Sequence, residues 1–465
     1  MEPRDLVIIG GGPAGYVAAI RARQLGASVL LVEADELGGT CLNRGCIPTR
    51  ALVRAAELLD SPKKAREYGI AFGQAEVSLA QMMARKDTVA KMVGGGVRLL
   101  MESYGVRVVR ARGRLLSPAE VELAPADGKV ERVEARRLLL ATGAEWARPD
   151  IPGAEMLVTS DEALSLQSVP ASLVVIGGGA VAMTFATIFS RLGSRVTVVT
   201  AGPRVLPEID GEIVSLLERE LRRQKIQVIT GAEPVRLEGG PGALTLMVQA
   251  ADGVTPLTAE TVLYLDQRRA HTGGLGLEEA GVSFGTGGIT VNRAMQTSAP
   301  GVWAAGDVVG EPYLAHVAFA EGRVAAENAL GREVEMDYRA VPRCVCTVPE
   351  VASVGLTEEE AKAQGDEIQV GRFPLAANGL ASALGERSGL VKVVSEAHYG
   401  QVLGVHIMGP GASELIGAAS LAVRMEATAA DVAGALWAHP TISEALMEAS
   451  LAVSGEAIHM PGGGR

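Results

Sequence analysis

An unbroken apolar run at residues 6–9 leads into Gly10-Gly11-Gly12-Pro13-Ala14-Gly15. A helical pattern follows over residues 16–25, then a second apolar run that ends at Glu33. This order predicts strand, glycine turn, helix and parallel strand, because strands buried on both faces read as continuous apolar runs. It recurs from Leu173, where an apolar run enters Gly177-Gly178-Gly179-Ala180-Val181-Ala182. Two more short apolar strands end in small or acidic residues, one at Ala141-Thr142-Gly143 and one at Ala305-Gly306-Asp307. From about Val341 the pattern alternates and then turns helical at residues 412–423 and 443–453. The expected fold is α/β: two Rossmann-like dinucleotide-binding domains plus a C-terminal α+β domain.

Composition narrows the class of function. A chain of 465 residues exceeds one hydrophobic core, and 48% apolar content with 57 glycines suits a multidomain α/β enzyme. A net charge of -11 with no long basic run argues against nucleic-acid and membrane-surface partners. No leader pattern precedes the first strand, and glycines 177–179 interrupt the apolar stretch 173–189, so a cytoplasmic protein is expected. In that reducing compartment a cysteine pair is expected to cycle rather than to brace the fold.

The first turn has the features of a nucleotide cradle. Gly10 makes the tight turn, Gly12 opens the backbone to a pyrophosphate, Gly15 permits close helix packing, and Glu33 stands where a ribose hydroxyl would bind. Just downstream, Gly39-Thr40-Cys41-Leu42-Asn43-Arg44-Gly45-Cys46-Ile47-Pro48 sets two cysteines five positions apart. Metal sites show tighter Cys-x-x-Cys spacing with further ligands, so no metal is expected. Pro48 suits the first turn of a helix, which places Cys46 near a positive helix end that favours the thiolate. Together these features read as a redox disulfide facing a flavin. Near the C-terminal end, Ala438-His439-Pro440-Thr441-Ile442-Ser443-Glu444 offers an imidazole base with a carboxylate to orient it.

On these residues the chain resembles the pyridine nucleotide-disulfide oxidoreductase family, and within it the dihydrolipoamide dehydrogenase branch, over nearly its whole length. The segments Phe373 to Gly379 and Gly404 to Pro410 carry the resemblance to that branch. It implies an FAD-binding domain made of residues 1–149 and 266–335, an NAD(P)-binding-like domain of residues 150–265, and an interface domain of residues 340–465. It further implies that Cys41 exchanges with a substrate dithiol and that Cys46 forms a charge-transfer complex with FAD. The FAD-binding set becomes Gly10, Gly12, Pro13, Ala14, Gly15, Glu33, Gly39, Thr40, Arg50, Ala141, Thr142, Gly143, Asp307 and Ala315. His439, held by Glu444, would act from the opposite subunit of a homodimer, on a lipoyl-bearing protein or a small dithiol. The family's final step passes hydride to NAD.

The second turn departs from that pattern. Gly177, Gly179 and Ala182 form its Gly-x-Gly-x-x-Ala motif, yet the position matching Glu33 is Thr200, which cannot accept two ribose hydrogen bonds as a carboxylate does. Ala182 and Arg204 resemble NADP-binding relatives. Thr184 stands where the family has a glutamate, Arg50 where that glutamate's lysine partner stands, and Gln267-Arg268-Arg269-Ala270-His271 replaces Gly-Arg-Arg-Pro-Asn. Two readings remain side by side: a divergent NAD or NADP site that works, or a flavin whose electrons leave by another route. The functions they allow are dithiol oxidation with NAD, an NADPH-dependent disulfide or metal reductase, and a flavoprotein with a non-nicotinamide acceptor or a docking role. Alternation also puts Cys344 and Cys346 on one strand face, either as a second redox pair or as two buried small residues, and residue type favours the latter.

Overall fold

The computed structural model describes residues 4–73 and 76–461. Residues 1–3, part of the segment read as leaderless, lie outside that range. Strand β1 (Leu6–Ile9) is buried along its length, and Gly12 and Pro13 open helix α1 (Pro13–Gln24), the proline at a first-turn position where its missing N–H costs nothing. Strand β2 (Val29–Glu33) pairs parallel with β1. A short helix α2 (Gly39–Asn43) and a longer α3 (Cys46–Leu58) follow, then β3 (Arg107–Arg110) and β4 (Leu138–Leu140).

The same plan is then repeated. Strand β5 (Ser172–Ile176), helix α4 (Ala180–Arg191), strand β6 (Arg195–Thr200), helix α5 (Gly211–Arg223), and strands β7 (Gln227–Thr230) and β8 (Thr261–Tyr264) build a second parallel sheet. Its order is β7-β6-β5-β8, and the first sheet runs β3-β2-β1-β4. The two sheets are therefore equivalent strand for strand. Strand β9 (Val302–Ala304) returns to the first sheet and extends it beyond β4, and helix α6 (Ala315–Ala329) packs along α1. A Cβ on Gly322 would lie 2.2 Å from the Ala14 carbonyl, so this close crossing needs glycine.

The C-terminal part is an antiparallel sheet, β10 (Arg343–Val345), β11 (Glu350–Gly355), β12 (Ile368–Pro374), β13 (Leu390–Glu396) and β14 (Val402–Gly409), in the order β10-β11-β14-β13-β12. Helices α7 (Ala412–Arg424) and α8 (Glu444–Val453) cover it. A buried charge cluster joins this sheet to the second parallel sheet's domain. Lys392 on β13 is 2% exposed and donates to both oxygens of Asp210, the N-cap of α5, at 2.9 Å. Glu358 and Glu212 close around the same ammonium at 2.8 and 3.1 Å. Among the described residues no helix is long and apolar enough to cross a membrane.

One expectation fails here. Strand β10 ends at Val345, so alternation does not extend to Cys346. Cys344 borders the core of the C-terminal sheet, and Cys346 borders the core built on the second parallel sheet. The two thiols face different surroundings, and burial pushes Cys346 up to about 11 and raises Cys344 as well. Both are held as neutral thiols, which suits packing rather than redox exchange.

Candidate active site

The first parallel sheet gathers the candidate residues at its C-terminal edge, where the chain leaves β1, β2, β4 and β9. Gly10 follows β1 at φ +107°, and a Cβ there would lie 2.1 Å from the Ala141 carbonyl and 3.0 Å from the Thr142 amide. Glycine is thus required for β1 and β4 to close around the turn. Above Gly12 the space is open: a Cβ would meet only the Gly39 Cα, at 3.8 Å. At the end of β2, the Glu33 carboxylate accepts the Gly11 amide at 2.6 Å and the Asp35 amide at 2.8 Å. Thr142 donates its hydroxyl to the His271 carbonyl at 2.8 Å, and Ala315 is the first residue of α6. An open glycine cradle at a helix N-terminus, a fixed carboxylate at the ribose end and small residues after β4 fit a dinucleotide such as FAD.

Cys41 lies in α2, and Cys46 is the first residue of α3, with Gly45 as N-cap and Pro48 two positions on. Both are free thiols, and their side chains hydrogen-bond each other. That bond, with burial, drives Cys41 far above the ordinary thiol range, and as its acceptor Cys46 is held below it. The helix N-terminus favours the same assignment, since its free amides stabilise a thiolate. Cys46 keeps solvent access although surrounding protein opposes its charge.

Sequence reasoning passes over a cation beside this pair. The Arg268 guanidinium donates to Asp307 Oδ2 and to the Ala144 carbonyl, each at 3.2 Å. It lies 5.5 Å from the ring centres of both Trp146 and Tyr313. It also favours ionisation of Cys46, which Asp307 opposes. The Gly-Arg-Arg-Pro-Asn-like stretch contains this arginine, but only the fold brings it beneath Asp307.

His439 and Glu444 meet as expected from their spacing. His439 Nδ1 is 2.8 Å from Glu444 Oε1, and Glu444 Oε2 accepts the Thr441 amide at 2.8 Å. Since a carboxylate can only accept, Nδ1 carries the proton and Nε2 is left free as a base. The imidazole is 77% exposed. Among the described residues no hydrogen bond or ion pair joins it to the thiols, whose ionisation is shifted by each other, Asp307 and Arg268.

A family model described as pyridine nucleotide-disulphide oxidoreductase matches residues 4–322, and the dimerisation domain of the same family matches residues 341–450. The chain belongs to the pyridine nucleotide-disulphide oxidoreductase family. It is 43% identical to a dihydrolipoyl dehydrogenase of Thermus scotoductus over 99% of both chains, and 39% identical to one of Bacillus subtilis over 98% of this chain and 99% of that one. Among solved structures, LpdA of Mycobacterium tuberculosis aligns with a TM-score of 0.89 at 30% identity, over 96% of this chain and 98% of that one. The protein is an FAD-dependent disulfide oxidoreductase of the lipoamide dehydrogenase type, with a dimerisation domain. Family membership implies FAD and a nicotinamide cofactor.

The residues expected to receive the nicotinamide nucleotide are arranged otherwise. Thr184 is buried, and its hydroxyl donates to the Ala180 carbonyl one turn back, at 2.8 Å. Arg50, one turn along α3 from Cys46, pairs instead with Glu350 at the start of β11, at 2.7 Å. Arg204, the cation that would meet a 2′-phosphate, donates to the carbonyls of Pro207 and Ile209 and to Glu359, at 3.1 to 3.3 Å. Arg195 opens β6 at the end opposite Thr200, about 17 Å away along the strand.

Proposed function

We propose that the protein oxidises a dihydrolipoyl-type dithiol, free or carried on a protein, through the Cys41-Cys46 pair. The observation that carries this reading is the division of labour between the thiols, with Cys41 held as a neutral thiol and Cys46 favoured as thiolate at the head of α3. In the oxidised enzyme a substrate thiolate attacks Cys41 Sγ, breaking the Cys41-Cys46 bond and leaving Cys46 as the thiolate. The second substrate thiol then displaces Cys41, releasing a cyclic disulfide and leaving two electrons on the cysteine pair. The partner subunit's His439 takes a proton through its free Nε2, which makes the homodimer the working unit. Glu444 fixes that tautomer.

FAD would be held by Gly10, Gly12, Pro13, Ala14, Gly15, Glu33, Gly39, Thr40, Ala141, Thr142, Gly143, Asp307 and Ala315, with Arg50 near its reactive end. Bound there, it supplies the two-electron acceptor that returns the pair to its disulfide. The NADPH-dependent disulfide or metal reductase reading is disfavoured, because Arg204 is spent on its own loop. We place the enzyme in the cytoplasm, where a cycling pair is kept from permanent oxidation.

An anaerobic titration of the purified holoenzyme with dihydrolipoamide tests the reading. Stoichiometric flavin bleaching with a long-wavelength charge-transfer band is expected. A flavin that stays oxidised would remove the dithiol as donor.

A further inference from the structure

The two parallel sheets of this chain allow an internal comparison at the point where a nucleotide would bind. In such folds the ligand lies beyond the C-terminal strand ends, at the crevice where strand order reverses. In the first sheet that crevice separates β1 from β4, and in the second it separates β5 from β8. Gly177 copies Gly10 closely, at φ +125°, with a Cβ there lying 2.5 Å from the Leu265 carbonyl and 3.0 Å from the Asp266 amide. Leu265, Asp266 and Gln267 are therefore the structural counterparts of Ala141, Thr142 and Gly143. Gly178 is the counterpart of Gly11, and a Cβ on it would lie 2.7 Å from Thr200 Oγ1.

Charge is permuted between the two sites. The first has a carboxylate at the ribose end, Glu33, and a neutral hydroxyl at the crevice, Thr142. The second has a neutral hydroxyl at the ribose end, Thr200, and a carboxyl at the crevice, Asp266. Among the described residues no hydrogen bond or ion pair engages that carboxyl. It is exposed yet crowded enough for burial to raise its pKa, and the negative charge of Glu233 raises it further. A pyrophosphate brought beside it either meets a like charge or forces a proton onto it, and both outcomes weaken binding. The remaining parts do not compensate. Thr184 is turned into its own helix, Arg50 is held by Glu350, and Arg204 is held by its loop. Of the expected parts, the glycine cradle and the α4 N-terminus remain.

We propose that the second dinucleotide fold excludes NAD and NADP, so that neither serves this flavoprotein as electron acceptor. The proposal rests on the dithiol reading only for its electron donor. Isothermal titration of the FAD holoenzyme with NAD and NADP, each up to about 1 mM, tests binding without any turnover. No saturable heat is expected, and saturation by either nucleotide in that range would overturn the proposal. The double variant Thr200→Glu, Asp266→Asn should gain NAD affinity by at least about tenfold, since a charged acceptor is added and a like charge removed. A folded double variant that binds no better than the parent would overturn the charge permutation as the cause. The dithiol titration keeps the two ideas separate. A flavin bleached by dihydrolipoamide with no nucleotide heat supports both, no bleaching and no heat removes only the dithiol reading, and nucleotide heat overturns the exclusion whatever the dithiol does.

Discussion

The first and second parallel sheets share strand order, glycine turn and helix, yet only the first has its charges where a dinucleotide needs them. Backbone geometry is the part they have in common: Gly10 and Gly177 make the same approach to the chain leaving the neighbouring strand. Side chains at two positions, the end of the second strand and the crevice, then divide a fitting site from a misfit one. A fold of this kind supplies amides for phosphate, while selectivity rests on a few charges that can change without disturbing the scaffold. The first fold also carries the redox pair, Cys41 in α2 and Cys46 at the head of α3, and among the described residues the second has no counterpart to it.

That asymmetry is broken most severely at Cys46. Cys46→Ser should abolish the charge-transfer band and lower dithiol oxidation by on the order of 10³-fold or more, with flavin content unchanged. Stopped-flow absorbance reads both. A band that survives would assign the thiolate to another residue.

The second fold has a structural role that does not depend on nucleotide. Its α5 N-terminus is joined to the C-terminal sheet through Lys392, whose removal leaves Asp210, 1% exposed, as an unpaired buried charge. Lys392→Met should therefore cost about 3–5 kcal/mol of stability. The pH dependence follows from Glu358, which burial pushes up but Lys362 and Lys392 pull down, from 4.5 to about 2. A depressed carboxyl stabilises the fold above its unfolded value and loses that contribution as pH falls toward its folded one. The gap between parent and variant should thus narrow between pH 4.5 and 2. Denaturant unfolding at several pH values measures it, and a constant gap would exclude Glu358 from the cluster's energetics.

How far the sequence foretells this arrangement depends on the range of the interaction. The α/β class, both glycine turns and the helix starting at Cys46 are legible, because apolar runs, glycine and Pro48 act over a few neighbours. The His439-Glu444 contact is legible for the same reason, lying within one turn of chain. Arg50 is not: its partner Glu350 is 300 residues away and reaches it only through packing of the C-terminal sheet. Asp266 escapes notice because its importance comes from parallel pairing of Tyr264 with Ile176, which sets it beside Gly177. Cys346 misleads in the opposite direction, since alternation assumes a strand that has already ended at Val345.

The comparison can be sharpened by exchanging side chains between the folds. Glu33 accepts two amides as a carboxylate, and charge-assisted bonds are worth about 1.5–3 kcal/mol each. Glu33→Gln should weaken FAD retention by roughly 10- to 100-fold, and Thr200→Ala should leave it unchanged. Thr142→Asp, which copies the second crevice into the first, should also lower FAD retention, by about tenfold or more. Flavin content after dialysis measures all three. Full retention in Thr142→Asp would show that a crevice acid is tolerated and would weaken the case made from Asp266.

The smallest effect concerns Asp266 without any ligand. Its folded pKa is raised by burial and by Glu233, so the native state holds the proton more tightly than the unfolded chain does. The carboxyl therefore destabilises the fold above its folded pKa, and the penalty fades as pH falls through that value toward 3.8. Asp266→Asn should stabilise the protein at neutral pH by only a few tenths of a kcal/mol, because solvent screens an exposed group. The gain should shrink as pH falls toward 3.8, as the parent takes up the proton. Paired thermal melts at pH 7.5 and pH 4 decide the matter. An equal gain at both would trace the effect to amide packing rather than charge, whereas a gain that shrinks at pH 4 would show that the second crevice carries an unpaired negative charge when no nucleotide is present.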